Sequence, residues 1–419
     1  MGSAAIVACT QDNSWAARFA QVRAQTEQLS AGLSAEDCQL QAMPDASPTK
    51  WHLAHTTWFF ETFVLLRHLD YRRFAAGFDY LFNSYYHGVG PMHIRAERGL
   101  ISRPDLATVR RYRQHVDAAV QAALAQDALS AGALALLELG LHHEQQHQEL
   151  ILTDIKHALY ANPLRPAYRA TAAAATQPGT SPALRWRRFD EAIVAIGADE
   201  DGFAFDNERP RHRVLVPAFA LAERPVTNAE YAEFVRAGGY AQPLLWLSDG
   251  WTAVQTEGWQ RPLYWSKDLQ SEFTLDGERE LIAAAPVCHL SYYEADAFAR
   301  WAGARLPTEF EWERAAANRL INGNFVDSGR LHPAPVAADG DCLFGDVWEW
   351  TASPYVAYPG FRPAVGAVGE YNGKFMCNQI VLRGGSCATP AAHIRASYRN
   401  FFPPPARWQF SGLRLARDA

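Results

Sequence analysis

The chain lacks several features that would decide its class at once. It carries no excess of basic charge: 39 Lys and Arg stand against 45 Asp and Glu, a formal net charge of -6. That removes the electrostatic footprint expected of a protein whose partner is nucleic acid. No apolar run is long enough to span a bilayer, so no membrane partner is expected. The start, Met1-Gly2-Ser3-Ala4-Ala5-Ile6-Val7-Ala8, has no basic region and makes a poor secretory signal. Cysteine is sparse, six residues with no CxxC pair, which argues against a disulfide framework and suits a reducing compartment. A cytoplasmic location is the expectation.

What the chain does have is aromatic: 13 Trp, 16 Tyr and 22 Phe. Such rings fill cores, and they also wall sites for cationic or planar ligands. A length of 419 residues predicts two or three domains.

Periodicity divides the chain. Residues 12–40 hold Trp15, Phe19, Val22 and Leu29 at helical spacing. Ser47-Pro48 reads as a helix start, with Ser as the cap, before an apolar helix running to about Leu69. The segment Phe82 to Arg95 mixes aromatics with Gly and Pro and reads as an ordered loop, where functional side chains concentrate. Helices are then predicted from Pro104 to about Gln126 and over 131–160. Together, residues 12–165 form a predicted antiparallel helical bundle. The Ala-, Thr- and Pro-rich stretch 166–185 reads as a linker. Residues 186–419 show short strands, turns and two evident helices, after Thr227 and after Ser291, so this half is expected to be α+β with much irregular structure.

The chemistry centres on His143-Glu144-Gln145-Gln146-His147. On a helix the two imidazoles project from one face, one turn apart, and can share a divalent metal. A zinc protease would use Glu144 as base, but its extended motif needs Gly at 150 and a ligand at 153, where Leu150 and Thr153 stand. The plainer alternative is a polar seam inside the bundle. His52 and His55, three residues apart on another helix, are both candidates for a third ligand. Three neutral imidazoles would leave the ion its full charge and open positions, suiting redox chemistry with dioxygen or Lewis-acid hydrolysis, with iron, zinc and copper all eligible. Tyr85 and Tyr86 are candidate phenols. Arg95, Arg98 and Arg103 form a candidate fork for a carboxylate.

These residues together resemble a known family. Leu53-Ala54-His55 and the helix from His143 to His147 are similar to the signature of DinB-type four-helix domains. The segments Arg305 to Glu313, Gly345-Asp346-Val347-Trp348-Glu349-Trp350, Arg383-Gly384-Gly385-Ser386 and Ser411-Gly412-Leu413-Arg414 resemble the formylglycine-generating-enzyme domain. That pairing, in that order, resembles the ergothioneine-biosynthesis sulfoxide synthases from about residue 12 to the end. The resemblance implies an oxidoreductase whose fold is multidomain, α and α+β, a DinB-like bundle followed by a C-type-lectin-like half. It implies non-haem Fe(2+) held by His55, His143 and His147, and a reaction joining a cysteine-type thiol to C2 of the hercynine imidazole with O2. Gln146 would lie near the substrate, Asn400 and Phe401 would wrap its trimethylammonium group, and Tyr85 or Tyr86 would deliver a proton or electron. Arg95 and Arg98 are the expected donor-binding cations. Phe402 replaces a carboxylate of the γ-glutamylcysteine-using branch, which favours a smaller donor such as free cysteine. Met92 stands where the cysteine-using branch has arginine, and the selenoneine synthase branch, which uses a selenosugar, is the alternative. A third reading is a non-catalytic metal-binding module. The paired copper cysteines of formylglycine-generating enzymes are not evident beside Cys387. Asp346 and Glu349 are the pair a structural calcium would use.

Overall fold

The computed structural model describes residues 14–169, 182–336 and 342–419. The N-terminal residues 1–13 and most of the expected linker lie outside these. The linker's first part does not hang free: the Tyr168 hydroxyl donates to the Leu29 carbonyl, and Arg169 pairs with Asp276 at 2.6 Å.

Four long helices make the first half. Helix α1 (Trp15–Ser30) starts at Ser14, whose side chain accepts from Ala17 N, and stops well short of residue 40. Helix α2 (Thr49–Phe60) continues through a π-helical turn (Glu61–Leu65) to a last turn ending at His68. Every residue of Thr49–Phe60 is buried, as its all-round apolar pattern predicts. Its start is one residue later than expected. Pro48 is the cap, because Ser47 is taken elsewhere: its hydroxyl accepts from Arg98 and its N–H donates to Asp154. A short helix α3 (Phe78–Phe82) leads into the Gly/Pro loop. Helices α4 (Leu106–Ala125) and α5 (Ala131–Ala161) begin on the caps Asp105 and Ser130. Helix α2 packs against α4 and α5. A Cβ at Gly140 of α5 would meet Phe60 at 2.5 Å, so glycine there permits the close approach.

The second half is built from small sheets. One joins β1 (Trp186–Phe189), β4 (Phe219–Ala222) and β13 (Ala416–Asp418) in the order β1-β4-β13, tying the chain's last strand to the start of this half. Hairpins pair β2 (Ala192–Ile196) with β3 (His212–Val216) and β5 (Ser271–Thr274) with β6 (Gly277–Glu280). Strands β7 (Gly323–Asn324) and β8 (Phe344–Gly345) run parallel. The central sheet has the order β11-β10-β9-β12, from β9 (Trp348–Pro354), β10 (Ile380–Arg383), β11 (Asn400–Phe402) and β12 (Ser411–Leu413). Helices α6 (Asn228–Arg236), α8 (Tyr292–Trp301) and α9 (Glu309–Ala316) each start on a reciprocal Ser/Thr–Glu capping box. Helix α7 (Ser248–Glu257), between α6 and α8, was not legible in the sequence; it ends on Gly258 in left-handed backbone.

The motif charges of this half are internal. Arg383 pairs with Glu309 and Glu313, Arg399 with Glu309, and Arg414 with Glu349, all buried. Glu349 also accepts from Trp312 Nε1 at 2.7 Å, so it is not free to share a calcium with Asp346. Asp346 accepts from Asn324 Nδ2 and Ala334 N.

Candidate metal centre and substrate cavity

Two helices bring three imidazoles together. His143 and His147 stand one turn apart on α5, and His55 faces them from α2. All three are buried, and one nitrogen from each lies within 4.8 Å of the others. The closest approach is 3.2 Å, between His55 Nε2 and His143 Nε2. His55 donates from Nδ1 to the Phe82 carbonyl at 2.6 Å, which leaves a lone pair on Nε2 facing the cluster. Its ring stacks with Trp51 and Trp58, centroids 4.4 and 5.5 Å away, which fixes its plane.

Burial pushes all three imidazoles toward the neutral form. His143 is driven down to about 3, and His55 and His147 fall well below the ordinary range, with the charge of neighbouring histidines, His143 foremost, adding to the effect of burial. Neutral imidazole is the metal-binding form. Three such donors without a carboxylate fit a divalent transition ion, and this is the donor set that leaves positions open. His52, the other candidate, is not in the cluster; its Nδ1 meets His147 Nδ1 at 2.8 Å from behind.

Glu144 faces away from the cluster. Its two oxygens take Arg23 Nη1 at 2.8 Å and Arg113 Nη2 at 3.0 Å, all three side chains buried. Burial alone would raise its pKa; the two guanidiniums outweigh that and hold it below the usual glutamate value. A general base for hydrolysis is therefore missing at this position.

The imidazoles open into a cavity of about 550 Å³ between the two halves. From the helical half come Tyr85, Met92, Arg95, Arg98 and Gln146; from the other come Tyr371, Tyr398, Asn400, Phe401 and Phe402. Arg98 is buried, lies over the Trp51 ring at 3.4 Å and donates to Ser47 Oγ and Ser84 Oγ. Among the described residues no carboxylate pairs with it, and its Nε has no partner. Burial, with the like charge of Arg95 nearby, lowers its pKa to about 9. Arg95 is exposed on the rim and donates to the Asp45 carbonyl. Arg103 does not join them; it is exposed and donates to its neighbour Ser102 O.

The two adjacent tyrosines part company. Tyr85, in left-handed backbone (φ 43°), borders the cavity, and burial raises its pKa to about 12. Tyr86 packs into the core against Phe63 and Trp58 and does not line the cavity. Asn400 Oδ1 accepts from Phe401 N at 2.9 Å, and the Phe401 ring stacks on Tyr355 with centroids 4.0 Å apart.

Two residues escaped the sequence reading. Tyr371 is buried in the cavity wall with its ring centroid 5.6 Å from that of His143, and its hydroxyl donates to Gln146 Oε1. Gln146 Nε2 in turn donates to Tyr398 OH at 2.7 Å, so the amide is clamped at both ends. Glu149 accepts from Trp348 Nε1, Ser386 Oγ and Thr389 Oγ1, pinning α5 to the second half. Nothing in the irregular stretch around Tyr371 signals it. A larger cavity of about 750 Å³ shares the Phe205–Tyr371–Asn372 wall but holds none of the imidazoles, so chemistry rather than size selects the site.

Comparison with known proteins follows the same division. Residues 18–151 match the DinB superfamily, and residues 180–339 and 341–419 match the sulfatase-modifying factor enzyme 1-like domain. Hercynine oxygenase of Mycobacterium tuberculosis is 34% identical over 98% of this chain and 100% of its own length. The formylglycine-generating enzyme of Streptomyces coelicolor is 30% identical over 59% of this chain and 95% of its own. Ergothioneine biosynthesis protein 1 of Schizosaccharomyces pombe is 27% identical over 52% of this chain and 28% of its own.

Proposed function

Since the chain belongs to the hercynine oxygenase family, a DinB-type helical half joined to a sulfatase-modifying-factor-like half, we propose that it is an iron(II)- and O2-dependent enzyme joining a cysteine-type thiol to C2 of hercynine. The product is a sulfoxide on the route to ergothioneine. The atoms balance: C2–H and S–H are lost, one oxygen of O2 ends on sulfur, and the other leaves as water. Iron(II) held by His55, His143 and His147 would supply open positions and carry electrons from the two substrates to O2.

The observation that carries this reading is the meeting of unlike walls in one cavity: three buried imidazoles on one side, aromatic rings and Asn400 on the other. The aromatic wall, which includes Phe401, Tyr398 and Tyr371, suits a quaternary ammonium, which offers no hydrogen bond and is attracted by aromatic rings. Clamped Gln146 presents a fixed amide beside the imidazole-binding region. Arg98, a buried cation that no carboxylate of the described residues pairs with and whose Nε has no partner, would take the donor's carboxylate. Phe402 offers the donor no polar partner at its other end, so a short donor fits better than a γ-glutamyl one. Tyr85 borders the cavity, which supports assigning it, rather than Tyr86, as the phenol that hands over a proton.

The test is an oxygen-uptake assay after anaerobic iron loading, with hercynine and cysteine, read by product mass. Thiol-dependent uptake and a cysteinyl sulfoxide are expected. A selenosugar arm distinguishes the selenium reaction: a selenium-containing product with no cysteine product would replace the proposed donor. No uptake with either would contradict the enzyme reading.

A further inference from the structure

His52 lies on the same helix as His55, yet both of its nitrogens are already engaged. Nδ1 is 2.8 Å from His147 Nδ1, and Nε2 is 3.1 Å from Asp154 Oδ2. Asp154 sits on α5, two turns after His147, and the same Oδ2 also accepts the Ser47 N–H at 2.8 Å. All of these side chains are buried.

The hydrogen-bond inventory dictates who donates. An ionised carboxylate only accepts, so His52 carries its proton on Nε2. His52 Nδ1 is then an acceptor, and the N–H between the two rings must belong to His147 Nδ1. That leaves the His147 Nε2 lone pair for the cluster. The other two imidazoles have no such backing: His55 donates to a neutral carbonyl, and His143 Nδ1 is buried without a partner.

Resting on the metal reading above, we infer that Asp154 and His52 are positioning residues that lock His147 in its metal-binding tautomer and strengthen it as a donor. The negative charge of Asp154 reaches the ring through two hydrogen bonds, which raises the basicity of His147 Nε2. The pair spans both ligand helices, so it also sets the spacing of α2 and α5 at the site. His52 itself has no nitrogen left for substrate and performs no proton transfer.

The experiment measures Co(II) affinity of the anaerobic protein by chelator competition, together with the visible absorption of the bound cobalt. His52→Leu and Asp154→Ala are expected to weaken Co(II) binding about 10- to 100-fold and to shift the cobalt bands. Asp154→Asn keeps a carbonyl oxygen for both Ser47 N–H and His52 Nε2–H while losing the charge, so its affinity should fall between wild type and Asp154→Ala. The melting temperature of the metal-free proteins separates a general loss of structure from a loss at the metal. Wild-type affinity and unshifted bands in His52→Leu overturn the inference; if that variant does not fold, the same result in Asp154→Ala does so. Wild-type protein that takes up no cobalt, or a His143→Ala variant that binds it normally, overturns the metal reading itself.

Discussion

The two halves contribute to one cavity in opposite ways. The helical half supplies its three imidazoles from regular helices, with His55 held by a stack and a carbonyl and His147 by another histidine. The α+β half supplies its wall from a three-residue strand and from loops: Asn400 to Phe402, Tyr371 and Tyr398. Helices hold ligand atoms to a fixed spacing, which a metal demands. Irregular backbone can be reshaped residue by residue, which suits the choice of an organic substrate. On this division, damage to the helical half should strike metal and stability, and damage to the other should strike substrate affinity.

The sharpest way to break the comparison is at a proposed ligand. His143→Ala should lower turnover about 1000-fold or more, because the proposed ion's contribution is several kcal/mol; steady-state rates at excess Fe(II), with bound metal measured alongside, check it. Next comes the bundle's buried ion network. Glu144→Ala leaves Arg23 and Arg113 facing each other without their shared carboxylate, and should cost about 3–5 kcal/mol in denaturant unfolding. The same group predicts a pH effect. Its folded pKa lies below the ordinary 4.5, so its stabilisation is complete above that value and is lost as pH falls through the depressed one. Wild type should therefore lose stability on acidification below about pH 4.5 more steeply than Glu144→Gln. Smaller still, Gly140→Ala should cost about 1–3 kcal/mol, since the new methyl meets Phe60 and Phe59. Smallest is Phe401→Ala, expected to raise KM for hercynine about 10-fold with little change in kcat, the scale of one desolvated cation–π contact. A KM effect in Glu144→Gln, or a metal loss in Phe401→Ala, would erase the distinction between the halves.

Much of the helical half could be read directly, because its signals are periodic. The one-turn spacing of His143 and His147 needs only a helix to acquire meaning. His52 and His55 could not be ranked by spacing, since residues three apart share a face; only the packing of α2 on α5 separates them. Tyr85 and Tyr86 were equally undivided until the left-handed backbone at Tyr85 turned one ring to the cavity and left the other in the core. The Ser47 cap failed because Arg98 and Asp154, distant in sequence, compete for that residue. Tyr371 was invisible for a deeper reason: it lies in an aperiodic run between β9 and β10, and its importance comes wholly from the Gln146 it meets. Glu149 stood in plain view beside the motif, but its three partners are about 200 residues or more away in the chain.

One measurement tests directly whether both halves face a single bound molecule. Hercynine is titrated into the anaerobic cobalt-loaded protein while the visible absorption of the metal is recorded. The account predicts a saturable band shift in wild type, with the half-saturation point moved about 10-fold upward in Phe401→Ala and the final spectrum unchanged. Hercynine that binds by calorimetry yet leaves the cobalt spectrum untouched would contradict it.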